Sequence, residues 1–331
     1  MPPARLPVRP HRGIPFTTLG AGCAQLGNLH RTMSDDEAEA TVRAEWDAGI
    51  RYFDTAPHYG LGLSERRLGR ALAAYPRDEY VLSTKVGRLL VPSPETAHER
   101  DMVNLFDVPA DTRRVYDLSR DGVLRSIEQS LDRLGVDRID VVYMHDPDDH
   151  WDAASTTGAR TLANLRDEGV IGGFGAGMNQ GGMLADLIEQ TDVDIVMCAG
   201  RLTLLEQQRA DRMLRLAAER GVAVVAAAVY NSGLLSRERV PDDAIFDYAQ
   251  APADVLDRAR DIERICRAHD VSLPAAALQF PLRYPQVVSV VAGMRGVEQA
   301  RQSVERLTAS IPEALWTALA DAGHIPERDA A

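Results

Sequence analysis

At 331 residues the chain suits one large α/β barrel or two modest domains and is too long for one small sandwich. Apolar residues make up 45% and charged residues 26%, which excludes a largely disordered chain. The net charge of −12, without a basic stripe or a run of ~18 apolar residues, speaks against nucleic acid and membrane as partners.

The N-terminal stretch Met1-Pro-Pro-Ala-Arg-Leu-Pro has no apolar signal core, so a cytoplasmic location is expected. A first strand is predicted at Phe16–Gly20. A helix at Asp35–Ala48 follows the N-cap Ser34. Strand two, Arg51–Asp54, leads to a helix over Ser64–Ala74, and strand three spans Tyr80–Lys85. Residues 86–118, rich in Pro, Arg and Asp, are too long for a plain connection. From Ser119 a helix places Val123, Ile127, Leu131 and Leu134 on one face and stops at Gly135. Strand four is Ile139–His145, followed by a helix over Ala153–Glu168. The remaining pairs are Gly172–Gly177 with Gly182–Gln190, Ile195–Cys198 with Leu205–Glu219, Ala223–Ala227 with Pro252–His269, and Val287–Val291 with Val297–Leu307. A second long segment, 230–252, follows strand seven, and 321–331 reads as a frayed tail.

Several of these strands are apolar throughout, as in a parallel sheet buried on both faces. Eight strand–helix pairs predict a (β/α)8 TIM barrel with long loops after strands three and seven. The chain is then a single domain over 1–331, with its core at about 16–310. The rival is a doubly wound sheet with a second domain, but no linker rich in Pro, Gly or Ser divides the chain. In a barrel both long loops lie on the active face, where they read as lids or as tolerated surface insertions. Cys23, Cys198 and Cys266 are far apart and form neither a metal-type spacing nor a disulfide framework, so no metal site is expected.

A barrel would point the ends of strands two, three and four at one mouth. Those ends carry Asp54, Lys85 and His145, and Tyr59 lies five residues beyond Asp54. Taken alone, an aspartate at a strand end is usually structural and a lone histidine is usually a satisfied core residue. Lys85 is the sole lysine among 37 basic residues. Base composition explains the scarcity, but not the one position kept for a compact ammonium. Together the four suit proton transfer at a carbonyl or carbinol oxygen. An ammonium favours a phenolate, a carboxylate holds the ammonium, and an imidazole positions the oxygen. Interconverting carbonyl and carbinol needs a hydride carrier, which points to a nicotinamide cofactor.

The segment Tyr52-Phe-Asp-Thr-Ala-Pro-His-Tyr-Gly-Leu-Gly-Leu-Ser-Glu-Arg-Arg-Leu-Gly resembles the first signature of the aldo-keto reductase superfamily. Ser-Thr-Lys85 and Tyr143-Met-His145 match its other catalytic motifs, and the likeness runs from about residue 16 to about 310. The resemblance implies a barrel that binds NAD or NADP without a Rossmann fold. It implies Tyr59 as general acid/base, Lys85 lowering the pKa of Tyr59, Asp54 holding Lys85, and His145 positioning the substrate oxygen. Gly293, Arg295, Gln299 and Ser303 match the family's phosphate and adenosine segment, with Ser303 where Asn is usual. Asn179 stands near the usual carboxamide position, and Ala227 replaces the aromatic that normally stacks on the nicotinamide. Tyr230, Ser232, Gly233 and Leu234 complete the implied cofactor contacts. NAD is preferred over NADP, because no second basic residue stands beside Arg295. The glycines of Gly20–Gly27 and Gly172–Gly177 do not form a dinucleotide fingerprint.

The strings Gly177-Met-Asn-Gln180, Gly200-Arg-Leu-Thr-Leu-Leu-Glu-Gln207 and Tyr230-Asn-Ser-Gly-Leu-Leu235 resemble the family's sugar-oxidising branch. They imply oxidation of an aldose of L-fucose or D-arabinose type at C1 to the lactone. The alternatives are a pyridoxal dehydrogenase or a broad aldehyde or ketone reductase on the same scaffold, and more remotely a non-catalytic nucleotide-sensing subunit. Asp146, Asp148, Asp149 and His150 follow strand four and read as a polar mouth or a solvated acidic loop.

Overall fold

The computed structural model describes residues 6–247 and 249–327. Eight parallel strands close into a barrel: β1 Leu19–Gly22, β2 Tyr52–Asp54, β3 Val81–Pro92, β4 Ile139–His145, β5 Ile171–Met178, β6 Ile195–Ala199, β7 Ala223–Ala227 and β8 Val287–Gly293. Each pairs with its sequence neighbours, and β8 pairs with β1 to complete the ring. The outer helices are α1 Asp35–Asp47, α2 Leu63–Leu72, α3 Arg120–Leu134, α4 Ala159–Asp167, α5 Gly181–Gln190, α6 Asp211–Arg220, α7 Ala253–Ala268 and α8 Val297–Thr308.

Two apolar layers hold the ring. Inside it, Phe16, Tyr52, Val81, Val141, Tyr143, Ile195, Met197, Val225 and Val291 form a packed plug. The larger core lies between the strands and the helices, and it accounts for the apolar face of each helix. Backbones approach closely where the sequence allows it: a Cβ on Gly175 would stand 1.6 Å from the Ile195 carbonyl oxygen. Ser34 caps α1 reciprocally with Glu37, and Ser119 caps α3.

Several expectations need correction. The helix expected over Leu205–Glu219 begins only at Asp211. Residues 203–207 instead form a turn in which Thr203 Oγ1 accepts the Leu205 and Glu206 N–H groups at 3.1 and 3.0 Å. The helix of Ala153–Glu168 carries a π-turn at Ala154–Gly158. Residues before β1 form a hairpin, Val8–His11 with Ile14–Thr17, which turns at Arg12 and Gly13 with positive φ at both. Two further helices, Leu273–Gln279 and Glu313–Asp321, were not anticipated. Of the expected frayed tail, His324 and Ile325 are anchored: Ile325 is buried and His324 Nε2 lies 2.7 Å from Asp261 Oδ2, while the other residues of 321–327 are exposed. The rest, 328–331, lies outside the described residues.

Neither long segment is a plain loop. β3 runs on past Lys85 and pairs with Thr112–Asp117 as an antiparallel hairpin. The hairpin tip brings Phe106 and Val108 against Leu61, Leu63, Leu29 and Tyr59, so it is a wall beside the mouth. After β7, residues 228–247 and 249–252 belong to a strap tied back by a bidentate pair, with Arg201 Nη1 and Nη2 donating to Asp247 at 3.0 and 2.8 Å.

Candidate active site

The C-terminal ends of β2, β3 and β4 bring Asp54, Lys85 and His145 to one mouth, and the β2–α2 turn adds Tyr59. That turn is fixed by two glycines in contact. Gly60 has φ +61°, and a Cβ on Gly27 would stand 2.6 Å from the Tyr59 carbonyl carbon, so no larger residue fits at either place. Lys85 Nζ donates to Asp54 Oδ2 at 2.6 Å, to the Thr55 carbonyl at 2.9 Å and to Tyr59 OH at 3.1 Å. All three ammonium donors are therefore spoken for. Asp54 is held in turn by Ser83, whose hydroxyl donates to Oδ1 at 2.7 Å. The His145 ring meets the Tyr59 ring edge to face at 5.6 Å between centroids.

Burial would lower the Lys85 pKa, but the Asp54 carboxylate and the Tyr59 oxygen outweigh it and hold the ammonium firmly charged. Burial pushes the Tyr59 phenol up to about 12, with Lys85 pulling the other way. The expected lowering of the Tyr59 pKa is thus present as a contribution and is outweighed in the resting site. Burial, and then the charges of Lys85 and Arg88, drive His145 well below its usual range, so its imidazole is neutral. His58, packed edge to face on His145 at 5.3 Å, is pushed down to about 2 by burial and by Arg114. The site therefore offers a proton on a phenol, a neutral imidazole and one fixed positive charge. That set can donate a proton to a carbonyl oxygen or, once the phenol is ionised, take one from a hydroxyl.

Beside these groups lies a cleft of about 460 Å³ lined by Arg88, Tyr116, Asp146, His150, Asn179, Gln180, Asn231 and Ser232. Its size is that of a small-molecule site. Tyr116 stacks on His150 at 3.7 Å. Of the residues expected to contact a cofactor, Asn179 and Ser232 reach this cleft. Leu234 does not: its side chain is buried in the core. Tyr230 also packs against the core, with the Arg306 guanidinium 5.9 Å from its ring centre. Gly293, Arg295, Gln299 and Ser303 gather at the β8–α8 junction, where Gln299 Oε1 accepts the Arg295 N–H at 2.8 Å and Ser303 is buried. The Arg295 guanidinium donates to the carbonyls of Leu29, Arg31 and Thr32 at 3.0, 3.1 and 3.2 Å.

These residues fit a nicotinamide nucleotide. Gln180 Oε1 and Asn231 Oδ1 are buried acceptors without a hydrogen-bond partner, as a carboxamide NH2 requires. Gly177 leaves room next to Lys85, because a Cβ there would meet nothing nearer than 3.5 Å. Sequence reasoning missed Arg88, Tyr116 and Asn231. The signal for Arg88 was the run Val86-Gly-Arg-Leu-Leu-Val, which extends β3 beyond Lys85.

The sequence profile of the Aldo/keto reductase family matches residues 18–322. The chain belongs to that family. It is therefore an oxidoreductase of a kind that uses NAD(P)H. It is 48% identical over 316 residues to D-threo-aldose 1-dehydrogenase from Pseudomonas sp, covering 95% of this chain and 96% of that one. It is 41% identical over 329 residues to pyridoxal 4-dehydrogenase from Microbacterium luteolum, again covering 95% and 96%. In fold it resembles the glycerol dehydrogenase of Gluconobacter oxydans, with a TM-score of 0.76 at 24% identity over 98% of this chain and 97% of that one. The holo form of an aldo-keto reductase from Bacillus halodurans is similar, with a TM-score of 0.74 at 23% identity over 96% of each chain. Among the described residues no helix is long and apolar enough to cross a membrane.

Proposed function

We propose that this chain acts as a single barrel domain that oxidises a free aldose of L-fucose or D-arabinose type at C1 to the lactone, with NAD in preference to NADP. The observation that carries the reading is the set of contacts at the strand ends, in which Lys85 joins Asp54 to Tyr59 and His145 faces the same phenol. In the oxidative direction Tyr59 accepts the hydroxyl proton as a phenolate. Lys85 stabilises that negative charge, and Asp54 keeps Lys85 aimed. His145, neutral, hydrogen-bonds the same substrate oxygen and fixes its approach. The nicotinamide ring supplies the hydride acceptor when bound. Asn179, Gln180, Asn231 and Ser232 would hold its carboxamide end. Tyr230 and Gly233 in the strap, with Gly293, Arg295, Gln299 and Ser303, would hold the phosphate and adenosine end.

Support for an aldose over other carbonyl compounds comes from the 48% identical relative and from the polar cleft. Support for NAD comes from Arg295, whose guanidinium is already committed to three carbonyls of residues 29–32. A 2′-phosphate would have to win it from them. The test is nicotinamide absorbance with L-fucose, D-arabinose and pyridoxal, each with NAD and with NADP. Reduction of NAD by the sugars is the expected result. Reduction by pyridoxal alone would transfer the assignment to the chemistry of the 41% identical relative. Silence on all six would overturn the aldose reading.

A further inference from the structure

Asp146 follows His145 directly and turns back toward it. Its backbone is left-handed, with φ +43°, and its N–H is pinned to the Gly177 carbonyl at 3.0 Å. The turn places Asp146 Oδ2 at 3.6 Å from His145 Nε2 and 3.0 Å from Arg88 Nη2. Arg88, three residues past Lys85, reaches this point because β3 continues beyond Lys85 to Pro92. Its Nε is buried and has no hydrogen-bond partner. Both side chains line the cleft next to the strand-end groups. A carboxylate that only accepts and a guanidinium that only donates thus stand side by side, the carboxylate 3.6 Å from the imidazole.

We propose that Asp146 and Arg88 read the hydroxyl on the carbon next to the reacting one. A hydroxyl both donates and accepts, so it satisfies the carboxylate and the guanidinium at once. When the reacting oxygen sits between Tyr59 and His145, the neighbouring oxygen of a 1,2-oxygenated substrate is directed at Asp146. The guanidinium does not serve as an anion clamp. Asp146 already matches its charge, and Asp148 and Asp149 line the same wall. The favoured substrate is therefore a neutral α-hydroxy carbonyl compound or its hemiacetal. The choice of an aldose rests on the proposed function above, but the recognition of an α-hydroxyl does not, because small hydroxyaldehydes carry the same group.

The experiment measures kcat and KM for two matched pairs with wild type, Asp146→Asn and Arg88→Leu. D-arabinose is compared with 2-deoxy-D-ribose in oxidation, and glyceraldehyde with 3-hydroxypropanal in reduction. Asn tolerates the left-handed backbone, so the turn is retained in the first variant. The wild type favours the hydroxylated member of each pair. Asp146→Asn lowers kcat/KM for that member about 10- to 100-fold, the worth of a hydrogen bond to a charged group, and leaves the deoxy member within about threefold. Arg88→Leu shows the same pattern. Equal losses across a pair, as expected if the two residues only brace the turn, would overturn the proposal, and so would an unchanged preference. If the wild type ignores both sugars yet prefers glyceraldehyde, and Asp146→Asn abolishes that preference, the proposal stands and the aldose reading alone fails.

Discussion

The mouth of this barrel has two sides built on different principles. On the side of β2, β3 and β4 the functional groups sit on strand ends and lock one another. Lys85 has three partners, Asp54 is braced by Ser83, and the hairpin tip packs Phe106 onto the Tyr59 turn. On the side of β6 and β7 the groups sit on connections. Ala228, Asn231 and Ser232 all have positive φ, and the strap is tied down by the Arg201–Asp247 pair, whose aspartate is largely exposed. Strand ends hold reacting atoms within a few tenths of an ångström, whereas a strap can part and reclose around a large nucleotide. The division of labour follows: proton chemistry and the reading of the substrate hydroxyl on the rigid side, cofactor capture on the side of the strap.

Breaking the rigid side should have the largest effect. Lys85→Arg keeps the charge but cannot fit a planar fork into a pocket shaped for three short contacts to one nitrogen. The expected result is a loss of about a thousandfold in kcat with little change in cofactor affinity. A near-wild-type rate would remove the argument for a compact ammonium.

The next effect is in pH. With Tyr59 held up to about 12 by burial, the resting phenol is protonated at neutral pH. Oxidation needs the phenolate, whose population rises with pH toward that value. The oxidative kcat should therefore climb about tenfold per unit from pH 7 until another step limits it. Reduction uses the phenol and should stay flat from about pH 6 to 9. A falling oxidative limb over the same range would contradict the assignment of Tyr59.

The smallest effect belongs to the strap. Arg201→Leu unties Asp247 and should change the cofactor KM and release rate by only a few fold, at the scale of an ion pair with one exposed partner. The rate of hydride transfer in a single turnover should not change. A loss as large as that of Lys85→Arg would mean that the two sides are not separable in this way.

The same contrast explains what could be read from the sequence. Ile139–His145 and Ala223–Ala227 have the predicted bounds because β-branched and apolar runs there are closed by polar or turn residues. Three strand ends and a short turn then sufficed to gather Asp54, Lys85, His145 and Tyr59. The connections were harder. Nothing periodic marks the turn at Thr203, and Arg113-Arg-Val-Tyr116 was hidden as a strand inside a charged stretch. Leu234 was carried over by resemblance as a cofactor contact, yet its side chain faces the core. Loop positions depend on backbone turns that propensity does not encode, so Asn231 and Arg88 emerged only with the fold.

The central claim is that Tyr59 moves the proton while the cofactor site stands independently. The most direct measurement is Tyr59→Phe, reading sugar oxidation and nicotinamide-nucleotide binding on the same preparation. The account predicts a fall in turnover of about a hundred- to ten-thousandfold with cofactor Kd unchanged within about twofold. Turnover retained at the wild-type level would contradict it.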